Sequence, residues 1–209
     1  PTLRILSLIH VGEAEGDLKQ FPAMLAAYEE AVRLSNHELV SPTWRRKAVL
    51  SLAWAYARAG QVQPALQYHG DVKTSLPSVL DQIPVYLQDS GLFWEGLREA
   101  KMFEVLGKQE DGQVSYKRAW KAVEEAESVA SSLVVPERLR LEAVNQKALI
   151  ALRLGDLEQF RDLSIRGVQG AKEMKSEKRR QEVIANWKEA RKVWPHEPQV
   201  LELADVLLE

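Results

Sequence analysis

Cysteine is absent from the 209 residues. Disulfides and thiolate-bound zinc are therefore excluded, and a reducing, cytoplasmic setting is compatible with the chain. Long apolar runs are missing too. No stretch of 18 apolar residues occurs, so no membrane-spanning helix is expected. The opening residues, PTLRILSLIH, lack a basic start and a small-residue cleavage site, and no secretion signal is expected from them. Pro1 in place of Met suggests a piece of a longer polypeptide. Charge of one sign is scarce: 28 Lys and Arg face 30 Asp and Glu, a formal net charge of −2. Nothing in that balance attracts nucleic acid or acidic lipid globally. Catalytic signatures are also missing. The four histidines, His10, His37, His69 and His196, show no HExxH or paired ligand spacing, and there is no GxGxxG, P-loop or GxSxG sequence. No metal, no cofactor and no enzymatic activity are expected.

What the chain has is helical periodicity. In 44–59, WRRKAVLSLAWAYARA, the residues Ala48, Leu52, Tyr56 and Ala59 fall on one face, with Arg45, Arg46 and Arg58 off it. Ala, Leu, Glu, Lys, Arg and Gln dominate, and these are strong helix formers. Breakers sit between the periodic stretches: Ser41-Pro42, Gly60, Pro64, Pro136 and the pair Pro195/Pro198. The spacing predicts helices near 2–15, 18–35, 42–59, 62–75, 77–88, 91–106, 110–132, 136–154, 157–175, 177–193 and 198–208. The chain is therefore read as all-α, with short connections that make consecutive helices antiparallel neighbours.

The periodicity itself repeats. The turn glycines Gly16, Gly60, Gly107 and Gly155 are 44, 47 and 48 residues apart. Seven residues before each stand Ile9, Ala53, Ala100 and Ala148, and four before stand Gly12, Tyr56, Phe103 and Ala151. An amphipathic helix follows each glycine. The unit is helix–turn–helix. A small residue at the crossing lets two helices approach, a large one fills the space beyond it, and a terminal glycine can adopt the left-handed conformation. One pair cannot cover its own apolar face, so the units should stack.

These features resemble the tetratricopeptide repeat family. The resemblance is carried by LAWAYARAGQVQPAL at 52–66, by 97–119, by NQKALIALRLG at 145–155 and by WKEARKVWP at 187–195. The family's unit is about 34 residues, and these are ten or more longer. The longer units resemble the regulatory repeat domains of bacterial transcriptional regulators, including peptide-pheromone receptors and MalT-like activators. The resemblance implies one repeat domain over 1–209, a right-handed superhelical solenoid of about four to five antiparallel helix pairs. It implies binding of a protein or peptide in a concave groove lined by the first helix of each unit, with no direct contact to nucleic acid or membrane. A homodimer is compatible with it. The regulatory reading has an alternative, a static scaffold or cochaperone-type assembly factor that docks a client.

On such first helices, the rows three, six, ten and thirteen residues before each turn glycine share one stripe. They contain Lys47, Trp54, Trp94, Lys101, Glu104, Glu142 and Asn145, the residues expected to form the groove. Trp54 and Trp94 would meet apolar side chains. Asn145 could clamp a peptide backbone with one donor and one acceptor, and Lys101 could meet a carboxylate. Two other features read as ordinary surface. The basic stretch 172–192 interleaves its Lys and Arg with Glu at helical spacing, and Glu29-Glu30 and Glu124-Glu125 are neighbours that do not face each other on a helix.

Overall fold

The computed structural model describes residues 2–75, 85–109, 112–130 and 135–208. Among these, ten helices and no strand occur: α1 (Thr2–Asp17), α2 (Phe21–Ser35), α3 (Pro42–Arg58), α4 (Val62–Ser75), α5 (Val85–Leu106), α6 (Gly112–Ala130), α7 (Glu137–Leu154), α8 (Leu157–Glu173), α9 (Glu177–Val193) and α10 (Pro198–Leu208). Most boundaries follow from local chemistry. Pro42 occupies the first turn of α3, where an absent N–H removes no helical hydrogen bond. The Asp156 and Ser176 side chains accept from the backbone N–H groups of Gln159 and Arg179, capping α8 and α9.

Helices pack as pairs: α1 with α2, α3 with α4, α5 with α6, α7 with α8. The first helix of each pair also touches the first helix of the next, in the order α1, α3, α5, α7, α9, and α10 closes against α8 and α9. Two large buried clusters result, beside a small one of Val49, Leu50 and Val72. One runs from Ile5 and Tyr28 through Leu52 and Phe103 to Ile150, the other from Ala148 through Phe160 to Leu207, and both draw on α7. The core is thus distributed along the row of helices rather than gathered at one centre.

The repeated crossing positions are where the sequence put them. Ile9, Ala53, Ala100 and Ala148 are all buried. At the α5–α6 crossing the approach is close enough that a Cβ on Gly96 would stand 2.7 Å from Ala126 Cβ and 2.9 Å from the Ala122 carbonyl oxygen. The turn glycines divide into two kinds. Gly60 and Gly155 adopt left-handed backbone, with φ of 78° and 81°. Gly16 and Gly107 do not. Gly16 lies inside α1, where an added Cβ would meet Met24 Sδ at 2.8 Å, and Lys19 takes the left-handed turn instead, at φ 60°.

Two sequence expectations change. The spacing predicts separate helices at 77–88 and 91–106, but 85–106 is one helix that runs through Ser90 and Gly91. A single interior glycine costs only about 1 kcal/mol relative to alanine, less than tertiary packing of a long helix returns. The remainder of 77–88 lies outside the described residues, as do 110–111 and 131–132 of the helix expected at 110–132.

Candidate functional site

The expected stripe does fall on α1, α3, α5 and α7, but most of it is turned inward or tied up by the chain itself. α3 has α1, α2, α4 and α5 around it and is buried on nearly all sides from Ala48 to Ala57. Trp54 is consequently only 9% exposed, and Ala57, placed on the same stripe by its spacing, is 0% exposed. The expectation that Trp54 lines an open groove therefore gives way to packing.

At the α1–α3–α5 end the face is an alternation of cations and indole rings. The Arg98 guanidinium lies 4.3 Å from the Trp54 ring centroid and 4.8 Å from that of Trp94, and it donates to the Glu13 carboxylate. Burial alone would raise the Glu13 pKa, but the Arg98 charge and hydrogen bond outweigh it and hold the carboxyl below its ordinary range. Lys47 stands 5.1 Å from the Trp44 centroid and 4.6 Å from that of Trp94. It makes no ion pair or hydrogen bond with any described residue. Burial, reinforced by the neighbouring Arg98 and only partly offset by the Glu13 charge, holds its ammonium below the ordinary lysine value. Trp44 and Trp94 are half-buried, so their rings keep part of their surface open.

At the α5–α7–α9 end the charges form a closed ladder. Lys101 donates to Glu142. Glu142 also accepts from Arg179 at 2.6 Å, and Arg179 bonds both oxygens of Glu182 at 2.6 and 2.8 Å. Burial would raise the Glu142 pKa, yet Lys101 and Arg179 together hold it below its ordinary value. Burial lowers that of Lys101, against the pull of Glu142. The Arg98 charge acts on both: it adds to the pull of Lys101 and Arg179 on Glu142 and works against that of Glu142 and Glu182 on Lys101. Asn145 spends its amide NH2 on the same ladder, while its buried Oδ1 bonds no described residue. Its Nδ2 donates to the Arg179 carbonyl at 3.1 Å and to Glu182 at 3.0 Å, and its backbone carbonyl accepts from Asn186 at 2.9 Å. Glu104 is buried between Arg153 and Lys108. The partners of Lys101, Glu104, Glu142 and Asn145 are thus internal, and only Lys47 and Trp94 of the seven remain available to a ligand.

Sequence reasoning passed over Arg98 and Trp44. Arg98 falls one residue beyond the row that holds Leu97, and no local pattern shows that it crosses α3 to reach α1. Away from this face, two clefts of about 590 and 490 Å³ lie beside α7, one against Arg166 and Gly170 of α8, the other against Trp120 of α6, and neither contains any of the seven. His69 of α4 is half-buried with Nε2 3.0 Å from Glu99. In the basic stretch, Arg179 pairs with Glu142 and Glu182, Arg180 with Glu177 and Lys192 with Glu189, and Trp187 Nε1 donates to the Val200 carbonyl at 2.8 Å. Among the described residues no cluster of three or more potential metal ligands exists, and no helix is long and apolar enough to cross a membrane.

Comparison with known proteins yields little. No family model matches the chain, and no curated protein does. A solved structure, a thermophilic TPR protein of Thermus thermophilus, is similar over 98% of this chain and 100% of its own, with 18% sequence identity and a TM-score of 0.46. At that identity and overlap the functional reading rests on this chain's own residues.

Proposed function

We propose that the protein is a binding module without enzymatic activity, a tetratricopeptide-like solenoid whose ligand is an acidic peptide or protein segment received at the α3–α5 end of the first-helix face. The observation that carries this reading is Lys47. A half-buried ammonium stacked on two indoles, with no carboxylate in contact and only the more distant Glu13 to offset its burial, costs free energy, and a ligand carboxylate would relieve that cost. The open parts of Trp44 and Trp94 supply apolar surface beside it, the combination of aromatic anchor and charge that hot spots favour. The peptide would bind over this end only, since the Lys101–Glu142–Arg179 ladder fills the other.

The finer reading is a regulatory, ligand-sensing domain of a bacterial transcriptional regulator in the cytoplasm. Its support is the repeat length of 44 to 48 residues. The ladder favours the second reading, a static scaffold, because ion pairs between α5, α7 and α9 resist a change of pitch. Small-angle scattering with and without ligand separates the two: a shape change supports the sensor, an unchanged profile the scaffold.

The test of binding itself is fluorescence titration with a panel of short peptides, acidic, neutral and basic, followed by calorimetry on those that bind. Acidic peptides should bind, and Lys47→Met should weaken them tenfold or more, the loss of a hydrogen bond to a charged group being about 1.5–3 kcal/mol. Equal binding of neutral and acidic peptides, or full affinity in Lys47→Met, would refute it.

A further inference from the structure

The two ends of the helix row are finished differently. At the far end, α10 buries Val200, Leu203 and Leu207 and turns Gln199, Glu202 and Asp205 outward, with Leu201 the one exposed large apolar residue described there, a mostly polar outer face of the kind that a terminal element of a repeat array needs. At the near end, α1 buries Ile5, Ile9, Gly12 and Gly16 against α2 and α3. Its opposite face is a stripe of Leu3, Ser7, Val11 and Ala14, continued by Leu18 in the turn that follows, whose N–H still donates to the Ala14 carbonyl at 3.1 Å; the spacing is four, four, three and four. Leu3 is 80%, Val11 49% and Leu18 70% exposed. Even the serine presents no free donor, because the Ser7 hydroxyl donates to the Leu3 carbonyl at 3.0 Å.

This stripe is complementary to itself. Laid antiparallel about a two-fold axis between His10 and Val11, Leu3 of one copy meets Leu18 of the other and Ser7 meets Ala14, so large sits on large and small on small. The flanks agree in charge. On one side of the stripe lie Arg4 and Glu15, and in the same arrangement Arg4 of each copy comes beside Glu15 of the other. Glu15 has no ion pair among the described residues, and Arg4 is well exposed, with only a 3.4 Å contact to Glu30. A charge-complementary, two-fold surface is the form that a homodimer interface takes.

We infer that α1 is a dimerisation helix, and that a second copy of this chain covers its Leu3–Leu18 stripe in an antiparallel pair. The contact is one helix wide and about 24 Å long at 1.5 Å per residue, a small interface, so a weak, reversible dimer is expected.

Sedimentation velocity on the 209-residue chain from about 1 to 300 µM tests this. A reversible monomer–dimer equilibrium is expected. Leu18→Glu should leave a monomer throughout, with unchanged helical circular dichroism, because Leu18 touches no core cluster. Arg4→Glu should weaken the dimer, and Arg4→Glu combined with Glu15→Arg should restore it by exchanging the two flanking charges. The chain has no cysteine of its own, so Val11→Cys, next to the axis, should give a disulfide-linked dimer under mild oxidation. A chain that stays monomeric at the highest concentration, or a dimer that survives Leu18→Glu, overturns the inference, as does failure of the charge exchange to restore association.

Discussion

Replacing Glu142 by Gln tests whether the charged ladder is structural. The substitution keeps the shape and removes the charge that Lys101 and Arg179 share. Breaking a fully buried pair by deleting one partner costs about 3–5 kcal/mol. Here the cost is smaller, because Arg179 retains Glu182 and Lys101 is partly exposed. Roughly 2–3 kcal/mol is expected, which for a chain of this size lowers Tm by about 5–10 °C. The double variant Lys101→Met with Glu142→Leu, which removes both charges, should recover much of that loss, since a buried ion pair and an apolar pair of similar volume are often equivalent. Acidity supplies an independent check. A carboxyl whose pKa is depressed in the folded state stabilises above its unfolded value and loses that contribution as pH falls through the folded one. The wild-type and Glu142→Gln denaturation curves should therefore be furthest apart near pH 7 and converge as pH drops below about 4.5, the ordinary value for the group. Chemical denaturation across about pH 3–7 measures both effects. A Glu142→Gln variant as stable as wild type at about pH 7, or a gap that widens in acid, would refute the assignment.

Ala57→Leu should destabilise by about 1–3 kcal/mol, as much as Ala53→Leu, because both residues are fully buried on α3 and overpacking is costly; thermal melts of the two variants decide it, and a neutral Ala57→Leu would contradict the packing. Tyr28→Phe should be neutral or slightly stabilising in the same assay, because the buried Tyr28 hydroxyl bonds no described residue and burial pushes its pKa well above the ordinary phenol value. A loss above about 1 kcal/mol would show that the hydroxyl has a partner.

Elements whose signal is local were readable from the sequence. Helix type, the small residues at Ala53, Ala100 and Ala148, and the left-handed turns at Gly60 and Gly155 each depend on a few neighbouring residues. The faces were harder. The stripe rule assumes that a first helix has an open side, and α3 has none from Ala48 to Ala55 or at Ala57, so the surface expected at Trp54 and Ala57 does not exist. Register between helices was not readable at all. Lys101 meets Glu142 across 41 residues and Glu142 meets Arg179 across 37, and nothing within one unit fixes those pairings. The charges expected to greet a ligand turned out to greet each other for that reason.

The bond between Glu13 and Arg98 has a consequence for how this row of helices could be edited. In arrays where each unit touches only its neighbours, stability is a sum over adjacent pairs, and units can be duplicated or removed almost like beads. Here the guanidinium of the third pair passes over Trp54 of the second and closes on a carboxylate of the first. The first three pairs are consequently laced into one block. Excising the second would take away the ring that carries Arg98, and inserting another would move its acceptor out of reach, so the pairs are similar in shape but not interchangeable.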